Sequence, residues 1–477
     1  MRKLLQRAFP SEEESGRPED EKPSFGKQLT YGTQHILTMY GGVIAPPLII
    51  GEAAGLSGSD MGLLITAGLF ISGLATILQA LGIGPFGARL PLVQGISFAS
   101  VSTLASIGSD GGIQPVLGAV LVAGVIGLIV SSFFAKLIRF FPPVVTGTII
   151  AVIGLSLMPT AFDWAMGGDD EAADFGSLGN IGLAGLTLLI ILVISKLFQG
   201  AISRLSILIG IVIGTVIGIP WGATDFSGVG DDGIVSLPPV LPFGAPTFEV
   251  GAIISMTIVV LVIMTETTSD ILALGEIVDT DRSAKRVANG LRADMAATTV
   301  APLFGTFAAS AFAQNVGLVA LTKIKSRYAV AMGGVVLVVL GLLPFVGGIV
   351  DAIPPPVLGG AGIVLFGSVA VSGIQTLARV DYQDNLNLVI VATAIGFGVI
   401  PVASPDFWSS FPDSVEVILG SGISSAAIVA VLLNIAFNHI KIGNKPGPSV
   451  FAAGGDERAD ESESDEWTSS SDRVEAQ

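Results

Sequence analysis

The sequence predicts an all-α polytopic membrane protein with about fourteen transmembrane spans, arranged as two inverted repeats of seven. Of its 477 residues, 51% are hydrophobic and 13% are charged, against roughly 25% charged in soluble domains. Basic residues recur only around alternate connections between the apolar segments. A Pro-Pro motif also returns seven spans later, at Pro142 and at Pro355.

The overall composition excludes several classes of protein. A mean hydropathy of +0.77 is incompatible with a soluble globular chain. The formal charge of -16 disfavours a nucleic-acid partner, which requires a basic surface. Because the chain has no cysteine, it forms no disulfide, thiolate metal site or cysteine nucleophile.

The two ends of the chain are predicted to be disordered cytoplasmic tails. Residues 1–28 mix acidic and basic side chains and contain no apolar stretch of the kind found in a cleavable signal peptide. Residues 442–477 are acidic and serine-rich and carry too little apolar surface to offset the entropy of ordering.

Between the tails, apolar segments of spanning length alternate with short connections. About 20 apolar residues cross a bilayer as a helix. The predicted spans are 29–50, 61–81, 90–106, 113–135, 143–163, 179–199, 202–221, 250–278, 288–305, 310–323, 328–347, 354–377, 385–403 and 416–440.

The distribution of charge predicts the orientation. All 23 basic residues fall in the tails or around the even-numbered connections. The odd-numbered connections are free of them and partly acidic, as at Asp169, Asp170 and Glu171. Because Lys and Arg collect on the cytoplasmic side, the chain is predicted to be a multi-pass plasma-membrane protein with both termini inside the cell.

The recurring Pro-Pro motif indicates an internal repeat. Residues 142–147 open span five and residues 355–360 open span twelve. Because seven spans separate them, the two halves must enter the membrane from opposite sides. This is the inverted-repeat plan of many secondary transporters.

Spans three and ten are poor continuous helices, and they occupy equivalent places in the two halves. Span three contains Pro91, Gln94 and Gly95, and span ten contains the run from Ala313 to Gly317 with two adjacent amides. Backbone freed at membrane depth survives only where protein buries it or where it lines a cavity. We therefore expect short unwound segments here, with a substrate site between them.

Ionisable residues inside the membrane sharpen this expectation. Glu266 and Asp270 lie four residues apart in span eight and so share one helical face. An unpaired carboxylate at this depth costs at least about 2.5 to 3.5 kcal/mol, and no Lys or Arg lies mid-span to neutralise it. Such residues therefore need a partner or a functional role.

Three further polar residues leave a structural alternative open. Asp294 in span nine either joins a functional network or forms an ion pair with the nearby basic residues Arg286 and Arg292. Gln34 and His35 in span one either act in the site or hold this span against its neighbours.

These residues together resemble the nucleobase/ascorbate transporter family, which contains the xanthine and uracil permeases. The stretch from Gln314 to Lys323 resembles the family signature of Gln or Glu, then Asn, then Gly two positions on, then Thr. Further matches are Gln34 with His35, Glu266 with Asp270, Asp294, and the run from Gln94 to Ala99.

The resemblance implies a division into two domains. A core domain would comprise spans one to four and eight to eleven, residues 29–135 and 249–347. A gate domain would comprise the remaining spans, residues 136–248 and 348–441. Spans three and ten would contribute short antiparallel strands beside the substrate, and a homodimer would form through the gate domains.

The resemblance also implies a function: proton-coupled uptake of a purine base such as xanthine, uric acid, guanine or hypoxanthine. Gln314 stands where uracil carriers tend to have Glu, and Asp270 where they often have His. Lys323 departs from the Gly of some xanthine carriers. A uracil:proton symporter, a sodium-coupled carrier and an anion exchanger of the sulfate-permease type remain the alternatives.

The chemistry of a nucleobase suits the residues singled out. A carboxylate accepts hydrogen bonds from ring N–H groups, and an amide offers a donor and an acceptor side by side. The expected substrate contacts are Glu266, Gln314, Phe98, Ala313 and Asn315. Asp270, Asp294, His35 and Gln34 are expected to form the coupling or structural network, and no cofactor or metal is expected beyond the proton gradient, with sodium as the alternative.

Classes other than carriers fit less well. A channel requires a continuous wet pore rather than two interrupted segments. A membrane enzyme requires a metal cluster or a nucleophile with its base, and the chain has only His35 and His439 as imidazoles.

Overall fold

The structure is a computed structural model that describes residues 16–222, 224, 226, 233–382 and 386–440. The tail predicted at 442–477 and residues 1–15 lie outside this part. The α-helices, numbered in chain order, are α1 Phe25–Ala53, α2 Ser59–Leu81, α3 Val101–Gly111, α4 Ile113–Val130, α5 Phe134–Leu137, α6 Pro143–Ser156, α7 Met158–Met166, α8 Leu178–Leu197, α9 Ala201–Arg204, α10 Ser206–Gly218, α11 Val250–Val278, α12 Ala284–Val300, α13 Ala313–Thr322, α14 Arg327–Gly341, α15 Pro344–Asp351, α16 Pro355–Leu377, α17 Asn387–Ala403, α18 Asp413–Leu419 and α19 Gly422–Asn434.

Short helices of other kinds complete the helical content. Single 3₁₀ turns cover Pro18–Asp20, Phe98–Ser100, Ile138–Phe140, Ile219–Trp221, Ala301–Phe304 and Pro405–Trp408, and a π-helix covers Ile435–His439. Strands β1 Gln94–Ile96 and β2 Ala309–Ala311 form the sheet.

Membrane-spanning helices dominate the described residues. Eight helical segments there are long and apolar enough to cross a bilayer, and a ninth is obtained if α14 and α15 are counted as one span. The remaining predicted spans contain shorter or interrupted helices, as α10 and α17 show. The number fourteen therefore stays a prediction.

The span predicted at 328–347 is not one straight helix. Helices α14 and α15 meet at an angle of 81°. Pro344 opens α15 and has no N–H to continue the helix before it, and it disfavours the helical conformation of Leu343. The proline therefore turns the chain at this point.

A two-stranded antiparallel sheet joins the two halves of the chain at their interrupted spans. Gln94 pairs with Ala311, Gly95 with Ser310 and Ile96 with Ala309. All six strand residues are buried. The short strands expected in spans three and ten are therefore present.

The interruption of span ten lies upstream of its predicted place. The sequence pattern predicts it at Ala313–Gly317, but these residues begin the regular helix α13. The non-helical backbone instead runs from Gly305 to Phe312, and Gly305 has a φ of 75°, which glycine adopts without strain. Gln314 and Asn315 therefore lie in the first turn of a half-helix.

The helices pack in two groups. The first contains α1, α2, α3, α4, α11, α12 and α14, in which α2 contacts α12; the second contains α6, α7, α8, α16, α17 and α19, in which α6 contacts both α17 and α19. Glycines permit the closest crossings: a Cβ on Gly32 would lie 2.5 Å from the backbone nitrogen of Gly333. Small residues at helix crossings are the usual means of tight packing in lipid.

The disorder predicted for residues 1–28 is wrong for residues 16–28. Pro18–Asp20 form a 3₁₀ turn and α1 begins at Phe25. Glu19 is only 1% exposed. The composition of this segment is that of a disordered tail, but its carboxylates bind guanidinium groups from distant parts of the chain, which composition does not reveal.

Candidate functional site

The β1–β2 pair is the centre of the candidate site. The backbone N–H of Ser97 donates to Ala308 at 2.8 Å, and that of Phe312 donates to Val93 at 3.2 Å, so the pairing continues past both strand ends. A Cβ on Gly95 would overlap the ring of Phe312. The absence of a side chain at Gly95 therefore lets the aromatic ring lie against the sheet.

Helix α11 runs beside this pair and carries the two predicted acids. It packs against the 3₁₀ turn that begins at Phe98, against β2 and against α13. Glu266 and Asp270 are both only partly buried. The ion pairs among the described residues are Arg282–Glu276, Arg286–Glu19 and Arg327–Asp20, so neither acid is paired with a cation there.

The side chains expected to touch a substrate differ in accessibility. Ala313 and Gln314 are exposed at the beginning of α13, and Phe98 is partly buried. The rings of Phe98 and Phe312 are 6.2 Å apart between centroids. The structure thus brings accessible carboxylate, amide and aromatic groups to adjoining elements around the strands.

Asn315 is placed differently from this set, because it is 3% exposed. Its side-chain oxygen accepts from the backbone N–H of Val93 at 3.1 Å, and its Nδ2 donates to Nδ1 of His35 at 2.5 Å. Both ends of the amide are therefore engaged by the protein. This geometry favours a positioning role for Asn315 rather than the predicted substrate contact.

His35 and Gln34 lie on α1 behind the site. His35 is 2% exposed, and its bond from Asn315 leaves the ring proton on Nε2. Gln34 is partly buried, and its backbone carbonyl accepts from the hydroxyl of Thr38. His35 thus ties α1 to α13, as the structural alternative proposed.

Asp294 on α12 is fully buried and is held by uncharged groups. The Thr267 hydroxyl donates to its Oδ2 at 2.5 Å, and Nε2 of Gln79 donates to its Oδ1 at 3.1 Å. The two nearby arginines bind elsewhere: Arg286 to Glu19, and Arg292 to Asn289 and Ser132. The ion pair left open for Asp294 is therefore wrong.

Two residues that the sequence analysis missed organise this acid. Thr267 also receives a hydrogen bond of 3.3 Å from the backbone N–H of Ala311 in β2. Gln79 accepts from the backbone N–H of Ala88 at 3.0 Å and so fixes the loop leading to β1. The signal for Gln79 is a polar side chain inside an otherwise apolar span, whereas Thr267 lies within the polar run that contains Glu266 and Asp270.

The site is accessible from the end of the molecule that carries the basic residues. Beyond Gln314, the exposed face of α13 continues through Gly317 to Leu321, which is 68% exposed. On α11, accessible positions continue from Glu266 and Asp270 toward Glu276. Exposed or partly buried positions of both helices therefore run from the strands toward this basic end.

Polar contacts join the two helix groups at the opposite end. Nε1 of Trp164 on α7 donates to Oε2 of Glu52 on α1 at 2.8 Å. The hydroxyls of Thr103 and Ser421 are 2.6 Å apart, and those of Ser255 and Ser424 are 3.0 Å apart. The two helix groups are thus hydrogen-bonded to each other at the acidic end.

The described residues contain no group of three or more His, Asp or Glu side chains of the kind that holds a metal ion. What the site offers instead is a set of hydrogen-bonding groups: an accessible carboxylate, a primary amide and the first amides of α13. Such groups recognise a small polar molecule by its donors and acceptors.

Comparison with known proteins finds relatives that are named permeases and transporters. Residues 26–407 match a family described as the Permease family. The chain is 40% identical to a xanthine permease of Bacillus subtilis strain 168 over 414 residues, 87% of this chain and 94% of that protein. It is 38% identical to the uric acid transporter UacT of Escherichia coli K12 over 437 residues, 90% of each chain.

Solved structures show the same fold at low sequence identity. The transmembrane domain of the cyanobacterial bicarbonate transporter BicA matches with a TM-score of 0.55 and 14% identity, over 86% of this chain and 96% of that one. The murine anion transporter Slc26a9 in the inward-facing state matches with 0.58 and 13%, over 91% and 75%. The predicted fold class, an all-α polytopic membrane protein of two inverted repeats, is thereby confirmed.

Proposed function

This chain belongs to the Permease family and is a transport protein rather than an enzyme, and we propose that it imports a purine base with a proton across the plasma membrane. One observation carries the proposal: Glu266 lies on α11 beside the strand pair, only partly buried and outside the ion pairs of the described residues. A carboxylate without a cationic partner is costly to keep at membrane depth, and such residues mark functional sites in membrane proteins.

The accessible groups complement a flat heterocycle. The Glu266 carboxylate accepts from ring N–H groups, and the Gln314 amide pairs with a neighbouring donor and acceptor on the same edge. Phe98 covers the face of the ring, and the backbone N–H of Ala313 binds a carbonyl oxygen in the plane. Asn315 positions α13 against β1 rather than touching the base.

A purine is favoured over uracil. Gln314 differs from the Glu that uracil carriers tend to have at this position, and Asp270 differs from their His. The relatives named above are described as a xanthine permease and a uric acid transporter. Xanthine and uric acid are accordingly the first substrates to test.

Proton coupling follows from the pair of acids on α11. Glu266 and Asp270 share one helical face, and two ionised carboxylates on adjacent turns repel each other. A proton taken up by this pair prepares the empty site for the base, while Asp294 and His35 support the arrangement from behind. The carrier that holds both the base and the proton then switches from the conformation that is open to one side of the membrane to the conformation that is open to the other.

Orientation and assembly complete the proposal. The basic end faces the cytoplasm, together with both termini, because Lys and Arg are retained on that side. The chain pairs with a second copy through the gate domain, and leucines on α8 such as Leu178, Leu189 and Leu192 are exposed there.

Uptake into vesicles tests this function. The purified protein is reconstituted, and uptake of labelled xanthine, uric acid and uracil is measured with and without an imposed pH gradient, in sodium and in choline buffer. We expect purine uptake that the gradient drives and a protonophore abolishes. Uptake that depends on sodium and ignores the protonophore would replace the proton by sodium, and saturable uptake of uracil alone would replace the purine.

A further inference from the structure

Residues 16–24, which we name the N-terminal strap, bind the basic end of the molecule, close to the ends of the helices that carry the site. We propose that Glu19 and Asp20 of this strap are positioning residues, which fix α12 and α13 and so set the substrate affinity of a site they do not touch. The substrate class used below rests on the proposed function, whereas the binding of the strap to the rest of the molecule does not.

The first anchor is the ion pair of Glu19 with Arg286. Oε1 of Glu19 accepts from Nη2 of Arg286 at 2.7 Å and from the hydroxyl of Thr280 at 2.6 Å. Glu19 is 1% exposed and Arg286 is 8% exposed. A buried pair of this kind is strongly destabilised when one partner is removed, because the other charge remains buried.

Arg286 extends this anchor to two connections. Its Nη1 donates to the backbone carbonyl of Asp281, in the middle of the α11–α12 connection, at 2.9 Å. Its Nε donates to the carbonyl of Ala88 at 2.7 Å and its Nη2 to that of Arg89 at 3.1 Å. Glu19 thereby holds in place the guanidinium that joins the loop leading to β1 with the start of α12.

The second anchor is the ion pair of Asp20 with Arg327. Oδ1 of Asp20 accepts from Nε of Arg327 at 2.6 Å, and Arg327 is 2% exposed. Nη1 of Arg327 donates to the carbonyls of Ala80 and Leu81 at the end of α2. This pair ties the start of α14 to the last turn of α2, which precedes the loop that Arg286 binds.

A third set of contacts joins the strap to the connection between α13 and α14 and to the start of α14. The hydroxyl of Ser326 donates to the backbone carbonyl of Glu21 at 2.6 Å. The ammonium of Lys22 lies 5.3 Å from the centre of the Tyr328 ring. The α13–α14 connection is therefore joined to the strap beside Arg327.

The anchored segments lead directly to site residues. Arg286 is in the first turn of α12, eight residues before Asp294, which is about 12 Å along a helix. The connection at Ser326 follows α13, which begins with Ala313 and Gln314. Because helices transmit displacement along their axes as rigid bodies, loosening these ends moves the groups that hold β2 and the substrate amide.

An exposed ion pair at the same end provides a contrast. Arg282 and Glu276 are 3.7 Å apart, and their side chains are 54% and 78% exposed. Exposed pairs of this type contribute little to stability. Glu276 therefore serves as a control for the loss of one carboxylate charge at the basic end.

The experiment compares Glu19→Gln and Asp20→Asn with two controls, Glu21→Gln and Glu276→Gln. Glu21 is exposed, and its backbone carbonyl accepts the hydrogen bond from Ser326. Glu21→Gln therefore removes one carboxylate charge from the strap but keeps this hydrogen bond. Glu19→Asp, which keeps the charge, is the milder variant if Glu19→Gln does not fold. Hydrogen exchange is measured on the detergent-purified proteins without any substrate, and KM and maximal rate are measured for xanthine uptake.

We expect Glu19→Gln and Asp20→Asn to accelerate exchange by about tenfold or more in residues 80–89, 279–286 and 323–328, with both controls at the wild-type rate. We also expect the KM for xanthine to rise by at least about threefold at a temperature where every variant remains folded, with less effect on the maximal rate. Exchange equal to that of the controls would overturn the strap as an anchor. Accelerated exchange with an unchanged KM would overturn its positioning role. If no purine is transported by the wild type, the exchange result still decides the anchoring.

Discussion

The hydroxyl of Thr267 donates a 2.5 Å hydrogen bond to the buried carboxylate of Asp294, and Thr267 is the residue that follows Glu266 on α11. The same hydroxyl oxygen receives the N–H of Ala311 in β2. One threonine therefore joins a buried acid, a strand of the central pair and the helix that carries the candidate substrate carboxylate. The position of Glu266 relative to β2 depends on this junction.

Replacing Thr267 by Val should disrupt the junction at nearly constant side-chain volume. The change leaves Oδ2 of Asp294 without its donor, and an unsatisfied buried polar group costs about 1 to 3 kcal/mol. We expect a lower thermal unfolding temperature and weaker xanthine binding. Thr257→Val is the control, because the Thr257 hydroxyl donates to the backbone carbonyl of Ile253 within the same helix and so joins no other element. Equal losses in the two variants would contradict the junction.

Substitutions of Glu266 and of Gln314 should have different effects on substrate binding. Glu266→Gln removes the acceptor for ring N–H groups and should abolish xanthine binding, whereas Gln314→Glu should shift preference toward uracil, with changes of about 1 to 3 kcal/mol per lost or gained contact. Competition of unlabelled bases against labelled xanthine measures both. Glu276→Gln, on the exposed end of α11, should bind as the wild type does. If Glu266→Gln and Gln314→Glu both bind xanthine with the affinity of the wild type, neither residue belongs to the substrate site.

Asn315 should behave as a positioning residue. Asn315→Ala breaks the bonds to Val93 and His35, so both the melting temperature and the affinity for xanthine should fall. Gln314→Ala, one residue away and exposed, should lower affinity without lowering the melting temperature. The two variants are compared by thermal unfolding with and without xanthine. A stable Asn315→Ala protein that has lost binding would instead return Asn315 to the direct contacts.

The pH dependence of stability should include a contribution from Glu19. Burial raises the pKa of Glu19, but hydrogen bonds from Arg286 and Thr280 outweigh it and hold the pKa below the ordinary value of 4.5. A lowered folded-state pKa stabilises the fold above the unfolded value, and this contribution is lost as pH falls through the folded value. Arg89 and Asp281 also face the Arg286 guanidinium through their backbone carbonyls.

Unfolding measured from pH 7 downward should therefore show a loss of stability below about pH 4.5 that is smaller in Glu19→Gln. Glu21→Gln should follow the wild-type curve. Parallel curves for all three proteins would show that the Glu19 pair contributes nothing that depends on its ionisation.

The hydrogen bond between Trp164 and Glu52 at the acidic end should affect the balance between the two end states of the carrier. Trp164→Phe removes the hydrogen bond to Glu52, worth about 1 kcal/mol, which corresponds to a shift of roughly fivefold in the balance between end states. Because the chain has no cysteine, Gly317→Cys on the exposed face of α13 gives a single label. Its reaction with a hydrophilic maleimide from the basic side should slow when Trp164→Phe is added. Trp408→Phe, whose indole N–H has no partner among the described residues, should leave the rate unchanged.

The sequence by itself determined the class of protein, the interrupted spans three and ten, and the acids Glu266 and Asp270. These features are readable because a bilayer imposes long apolar helices and makes each polar residue or helix break inside them conspicuous. The resemblance of Gln314–Lys323 to a family signature then indicated the kind of substrate. All of these signals are local, lying within one span or one short motif.

Only the tertiary structure decided how the site is held together. It placed the break of span ten before Phe312, tied Asn315 to His35 across 280 positions, and bound Gln79 to Asp294 across 215. It also ordered Glu19 against Arg286, 267 positions away. Local patterns carry no information on such partners, since the free energy that selects them arises from burying each polar group beside a complement brought from elsewhere by the fold.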